Sequence, residues 1–73
     1  MDIIHKENWK YTFYKEGDRY ILSALCGGVG LFEIKIALTE IEKKMFEEKG
    51  VKYIENLAAS IRNDPDAYQE RKL

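Results

Sequence analysis

The chain has 73 residues, of which 45% are hydrophobic and 34% charged, with a formal net charge of −1. This length predicts one small domain, and the balanced charge argues against the basic stripe that nucleic-acid binding needs. Cys26 is the only cysteine and His5 the only histidine. A single cysteine cannot form an internal disulfide. One cysteine and one histidine are also too few for a structural zinc site, which uses about four such ligands, so we expect no metal and no cofactor.

Targeting signals are absent from the sequence pattern. The first ten residues lack the basic start and the apolar run of a secretory signal. No apolar run approaches the roughly 20 residues of a membrane span. Because a lone free thiol is typical of a reducing compartment, we expect a cytoplasmic protein without a membrane partner.

The first half of the chain shows the periodicity of β-strands. Apolar and polar residues alternate in the first and third predicted strands, while the second is apolar at nearly every position. Turn-forming glycines separate these segments, which predicts a three-stranded antiparallel meander. The predicted strands are residues 8–14, 19–26 and 31–38.

The hairpin registers decide which side chains share a face of this sheet. A two-residue turn at Glu16 and Gly17 would place Tyr14 opposite Arg19, and a three-residue glycine loop would connect the next two strands. A slip by one residue would bury charged side chains, so burial selects these registers. The face predicted to meet the helices carries Trp9, Tyr11, Phe13, Leu22, Ala24, Cys26, Phe32, Ile34 and Ile36.

Helical periodicity begins after Thr39. The segment T-E-I-E is a capping box, in which the side chains of Thr39 and Glu42 each accept a hydrogen bond from the other's backbone. Gly50 either bends one helix or separates two, and the phase of the apolar pattern slightly favours the bent helix. Asp64 predicts the cap of a short helical turn over residues 65–71. The predicted buried side comprises Ile41, Met45, Phe46, Val51, Ile54, Leu57, Ala58 and Ile61.

These elements predict one α+β domain over residues 1–73. A three-stranded antiparallel meander is followed by a bent or split helix packed on one sheet face, with a short C-terminal helical turn. An amphipathic helical half of this size covers only one face of the sheet.

The opposite face supplies the leading functional hypothesis. It carries Tyr14, Ile21, Leu25 and Leu31 among charged residues, and no part of the chain remains to cover them. Exposed apolar patches tend to mark contact surfaces. We therefore expect a non-enzymatic protein-interaction module, either a homodimer or a small partner-binding or inhibitor-type protein. The competing interpretation is a small patch that is merely exposed between long charged side chains.

The glycine loop at residues 27–30 is the other candidate site. It precedes a strand rather than a helix, and Glu33 stands where a G-x-G-x-x-G phosphate motif has its third glycine, which argues against phosphate binding. Cys26 and His5 beside this loop give the alternative hypothesis, a small-ligand or catalytic domain. The simpler interpretation of Cys26 is a small buried hydrophobic residue.

The chain resembles small uncharacterised bacterial proteins in which a glycine-broken meander precedes a helix that carries G-x-x-Y-I-E-x-L-A, and whose last segment carries P-x-x-Y-x-x-R. The resemblance covers residues 20–71 and implies a bacterial, cytosolic, free-standing protein without indicating an activity. The matching residues are Gly50, Tyr53, Ile54, Glu55, Leu57, Ala58, Pro65, Tyr68 and Arg71.

Overall fold

The structure is a computed structural model that describes residues 2–27 and 30–73. Within these residues the fold is α+β, with a four-stranded antiparallel meander followed by helices. The strands, in both chain and sheet order, are β1 (Asp2–Glu7), β2 (Tyr11–Glu16), β3 (Arg19–Gly27) and β4 (Leu31–Ala37). The helices are α1 (Glu40–Lys49), α2 (Val51–Asn63) and a C-terminal 3-10 helix (Pro65–Arg71).

The prediction of three strands is wrong, because the N-terminal segment forms a further edge strand. This strand, β1, pairs with β2 and contains a bulge between Ile3 and His5. The bulge interrupts the two-residue alternation, and charged side chains are typical of a sheet edge, so the segment lacks the pattern of a strand. Residues 8–10, which the sequence assigned to the first strand, form the turn between β1 and β2.

The β2–β3 hairpin differs from the predicted register without changing the faces. Tyr14 pairs with Ile21, not with Arg19, because the turn is formed by Gly17 and Asp18. The pairing has shifted by two residues, which leaves every side chain on its predicted side of the sheet.

The β3–β4 hairpin has the predicted register, with Cys26 opposite Phe32. Its glycine loop connects two strands, as expected. Two residues of that loop, Gly28 and Val29, lie outside the described residues.

The core lies between the helices and one face of the sheet. Phe13 at its centre is fully buried and packs edge-to-face on Phe46 of α1, with ring centroids 5.0 Å apart. Three residues predicted for this core are exposed instead: Trp9, Phe32 and Ile41. The core cluster comprises Tyr11, Phe13, Leu22, Ala24, Cys26, Ile34, Ile36, Leu38, Ile54, Leu57, Ala58 and Ile61.

Helix boundaries follow local chemistry. The capping box is confirmed: the Thr39 hydroxyl accepts from the Glu42 amide at 3.2 Å, and the Glu42 carboxylate accepts from the Thr39 amide at 2.9 Å. Gly50 separates two helices, so the preference for one bent helix is wrong. Its φ of 72° and ψ of −154° lie outside the helical region, in a conformation that glycine adopts at low cost.

Arg71 fastens the C-terminal segment to the rest of the domain. Its guanidinium donates hydrogen bonds to both carboxylate oxygens of Glu42 and, at 3.1 Å, to the carbonyl oxygen of Ala37. The amide of Leu73 donates to the carbonyl oxygen of Lys35 at 2.9 Å. The chain therefore ends along the outer edge of β4. None of the helices in the described part of the chain is long and apolar enough to cross a membrane.

Candidate functional site

The four residues predicted to form a contact surface share the sheet face opposite α2, but they differ in exposure. Tyr14 and Ile21 are only 7% and 2% exposed, so the expectation that they are accessible is wrong. Leu25 is half-buried and Leu31 is 68% exposed. The accessible apolar part of this face is therefore limited to the end of the sheet nearest the glycine loop.

Cross-strand neighbours explain why Tyr14 and Ile21 are buried. Ile3, Tyr14, Ile21 and Ala37 lie opposite one another on four successive strands. Side chains directly opposite in a sheet are about 5 Å apart and cover one another. The sequence pattern does not predict β1, and this omission explains the wrong expectation that Tyr14 is accessible. In the four-stranded sheet, β1 supplies a neighbour that Tyr14 would lack in a three-stranded one.

The accessible end of this face forms a groove of about 310 Å³, here called the open-face groove. Trp9, Leu25 and Leu31 give it an apolar floor, and charged side chains border it. A groove that combines an apolar centre with a charged rim has the composition of a protein-contact surface. Its lining residues are Lys6, Glu7, Trp9, Lys10, Tyr11, Thr12, Ser23, Leu25, Leu31 and Glu33.

Trp9 occupies an unusual position beside this groove. It lies in a turn that is closed by a hydrogen bond of 3.0 Å, which the Lys10 amide donates to the carbonyl oxygen of Glu7. The φ of Trp9 is 68°. A positive φ costs a residue with a Cβ atom about 1 kcal/mol or more, and Trp9 is 79% exposed. Neither backbone preference nor core packing therefore accounts for tryptophan here. The sequence pattern missed this residue because large apolar side chains usually predict burial.

The groove also has an ordered charge pattern that runs from the β1–β2 turn across β3 to β4. The Leu25 amide donates to the carbonyl oxygen of Lys10 at 2.8 Å on one side, and Leu25 pairs with Glu33 on the other. A basic residue just before β2, an apolar residue on β3 and an acidic residue on β4 therefore stand side by side. Only the strand register places these three residues together.

Cys26 and His5, the residues of the alternative hypothesis, lie in different places. His5 on β1 pairs with Phe13 on β2, which pairs with Leu22 on β3. Cys26 lies four residues beyond Leu22, so His5 and Cys26 are roughly 15 Å apart at ordinary strand spacings. Cys26 is 1% exposed within the core. Burial raises the pKa of its thiol, which Arg62 only partly offsets. The fold therefore provides neither proximity nor activation for a Cys–His pair.

His5 instead lies close to two carboxylates. One ligand atom from each of His5, Glu7 and Glu55 falls within 4.8 Å of the others. Glu7 and Glu55 also line a cavity of about 260 Å³. Tyr11 also lines this cavity, and burial together with the charges of Glu55 and Glu7 raises its pKa to about 12. Tyr11 thus keeps its proton and remains a hydrogen-bond donor. These residues could hold a divalent cation, a combination that counting cysteines and histidines does not reveal.

Comparisons with protein-family models, with curated proteins and with solved structures found no match for this chain. The resemblance to small bacterial proteins therefore stays a prediction.

Proposed function

We propose that this protein is a non-enzymatic interaction module that forms a homodimer through its open-face groove. The proposal depends on one observation: Trp9 is exposed, and its backbone has a conformation that is unfavourable for tryptophan. Such strain is typical of functional positions, and tryptophan is the residue most enriched among the energetic centres of protein interfaces. A role in binding explains both features of Trp9.

The charge pattern favours a second copy of the chain as the partner. With a two-fold axis parallel to β3 and passing over Leu25, Lys10 of each copy would face Glu33 of the other. The same rotation would bring Trp9 of each copy onto Leu31 of the other, because both lie at the same end of the groove. A two-fold interface requires a self-complementary patch, and this arrangement of charges and apolar residues meets that requirement.

The environment of the dimer follows from composition. The balanced charge and the lack of a basic stripe favour a protein partner over nucleic acid or membrane. A lone buried thiol fits a reducing cytoplasm. The groove is small, so we expect a weak dimer with a dissociation constant on the order of micromolar.

Concentration-dependent sedimentation tests this proposal, with the fluorescence of the sole tryptophan as a second signal. We expect the wild-type protein to change from monomer to dimer over the micromolar range, and the Trp9 emission to shift to shorter wavelength as the indole becomes buried. Leu31→Glu should abolish both changes. The matched control is Ile41→Glu, since Ile41 is 74% exposed on α1 and does not line the groove.

A charge exchange tests the two-fold geometry itself. Lys10→Glu and Glu33→Lys should each weaken the dimer, because each places like charges opposite one another. The double variant restores opposite charges at both contacts and should recover most of the affinity. A monomeric wild-type protein at all concentrations would overturn the homodimer. Failure of the double variant to recover would overturn this arrangement of the two copies.

A further inference from the structure

We propose that His5, Glu7 and Glu55 bind a divalent transition-metal cation, such as Zn²⁺, at the cavity between β1 and α2. The cavity has a volume of about 260 Å³. Glu7 also lines the open-face groove proposed for dimerisation, whereas His5 and Glu55 do not. The proposal rests on three observations: the bulge that orients His5, the spacing of the ligand atoms, and a buried hydroxyl group without a partner.

The bulge in β1 places His5 on the side of the sheet that α2 covers. Ile3 lies opposite Tyr14, so ordinary alternation would put His5 on the same face as Ile3. The extra residue, Ile4, changes the register, and His5 pairs with Phe13 on the helix-covered side. Bulges of this kind commonly orient a side chain next to a functional site. Glu7 follows two residues later on the same side.

The ligand atoms have a spacing close to that of a metal site. The Nε2 atom of His5 is 3.7 Å from the Oε1 atom of Glu7, and the three ligand atoms lie within 4.8 Å of one another. Tetrahedral bonds of 2.0–2.2 Å to Zn²⁺ separate neighbouring ligands by about 3.4 Å. Glu55 is on the exposed side of α2, so rotation of its side chain can close the remaining gap.

Two buried polar atoms of this site, one of them a proposed ligand atom, have no hydrogen-bond partner among residues 2–27 and 30–73. They are the Nε2 atom of His5 and the hydroxyl oxygen of Tyr11. Tyr11 is 5% exposed, lines the same cavity as both carboxylates, and has its ring centroid 5.8 Å from that of His5. A buried unpaired hydroxyl is costly unless another group satisfies it. A bound cation would use the imidazole nitrogen, and a water or carboxylate on it would accept from Tyr11.

The ligand set indicates the class of cation. One imidazole and two carboxylates suit first-row divalent ions, and three protein ligands leave a coordination position open, unlike a closed four-ligand structural site. Lys10 and Arg62 also line the cavity, and their positive charges oppose a cation. We therefore expect moderate affinity and an open position that favours an anionic or water ligand.

Titration calorimetry of the untagged protein with Zn²⁺ tests the site. We expect one equivalent to bind and the thermal unfolding midpoint to rise with Zn²⁺ concentration, because the cation binds only the folded arrangement. Glu55→Gln should weaken binding by more than about tenfold, since it removes a charged ligand while keeping the side-chain shape. Because Glu55 is exposed, this variant should fold like the wild-type protein without metal.

The matched control is Glu48→Gln, which removes an exposed carboxylate from α1. It should bind Zn²⁺ as the wild-type protein does, whereas His5→Gln should lose binding as Glu55→Gln does. Wild-type protein that takes up no Zn²⁺ would overturn the proposal. So would binding that persists equally in the His5 and Glu55 variants, since the cation would then lie elsewhere. Neither variant alters Trp9 or Leu31, so the dimer and the metal site can fail independently.

Discussion

The two faces of the sheet are both buried at their centres, but by different means. On one face, Leu22 lies in the cluster that the sheet forms with the helices, and it is fully buried. On the other, Ile21 is 2% exposed and lies outside that cluster. Its cover comes from side chains on neighbouring strands. Equal burial therefore does not mean equal packing, because a second layer constrains side chains more than neighbours within one sheet do.

The adjacent residues Leu22 and Ile21 provide the largest test of this difference. Leu22→Ala should cost about 4 kcal/mol of unfolding free energy, because the helices hold the cavity open. Ile21→Ala should cost about 2 kcal/mol, because neighbouring side chains on an open face can close over the space. Urea denaturation followed by circular dichroism measures both. Equal costs for the two variants would show that the open face is packed as rigidly as the covered one.

Arg71 joins the C-terminal segment to α1 and β4 on the side of the sheet that the helices cover. Loss of this contact should have the second largest effect on stability. Arg71→Met keeps much of the side-chain volume but removes the hydrogen bonds to Glu42 and Ala37. Because Glu42 is largely buried, loss of its partner should cost about 2 kcal/mol near neutral pH. Chemical denaturation near pH 7 measures this cost. A similar cost for Lys72→Met, at the exposed neighbouring position, would contradict the specific role of Arg71.

This contact also predicts how stability depends on pH. Burial alone would raise the pKa of Glu42, but hydrogen bonds from Arg71 and Thr39 outweigh burial and lower it below its ordinary value of 4.5. Stabilisation is then fully present above that value and is lost as the pH falls through the lower pKa of the folded state. Denaturation of the wild-type protein and Glu42→Gln at about pH 6 and about pH 3 should show the larger acid loss in the wild-type protein. Parallel losses in the two proteins would contradict the assignment.

Gly50 allows α1 and α2 to lie on the same sheet face, and its replacement should have a smaller effect. Gly50→Ala should cost about 1–2 kcal/mol, because the φ of 72° and ψ of −154° lie in a region that essentially only glycine adopts. The added atom would have no neighbour within 4 Å, so this cost measures the backbone alone. Thermal denaturation compared with Lys49→Ala, at the adjacent exposed position, isolates it. A neutral Gly50→Ala would indicate that the two helices can join into one.

The sequence predicts the covered side of the fold better than the open side. Strands β2 to β4 and the helical half follow from periodicity, because the spacing of apolar residues records which side chains face a second layer, but the division into two helices at Gly50 does not. The strand β1 escapes this method, since the bulge at Ile4 breaks the alternation and an edge strand tolerates charge. The same omission explains the error for Tyr14, whose neighbour Ile3 belongs to the missing strand.

The candidate sites depend even more on tertiary structure. Leu25 and Leu31 follow from the hairpin register. Apolar character alone predicts a buried Trp9, because it carries no information about a positive φ. His5 and Glu55 are 50 positions apart in the sequence. They come together because the bulge in β1 turns His5 toward α2, the helix that carries Glu55.

The smallest expected effect, and the only gain in stability, concerns Trp9 on the open face. Trp9→Gly removes both the indole and the strain of a positive φ, so the monomer should become about 1 kcal/mol more stable. Trp9→Ala removes the indole but keeps the strain, and should leave stability nearly unchanged. Circular dichroism during urea denaturation of dilute protein measures the difference between these variants. If both lose stability equally, the indole packs on the fold itself, and Trp9 is not reserved for a second copy.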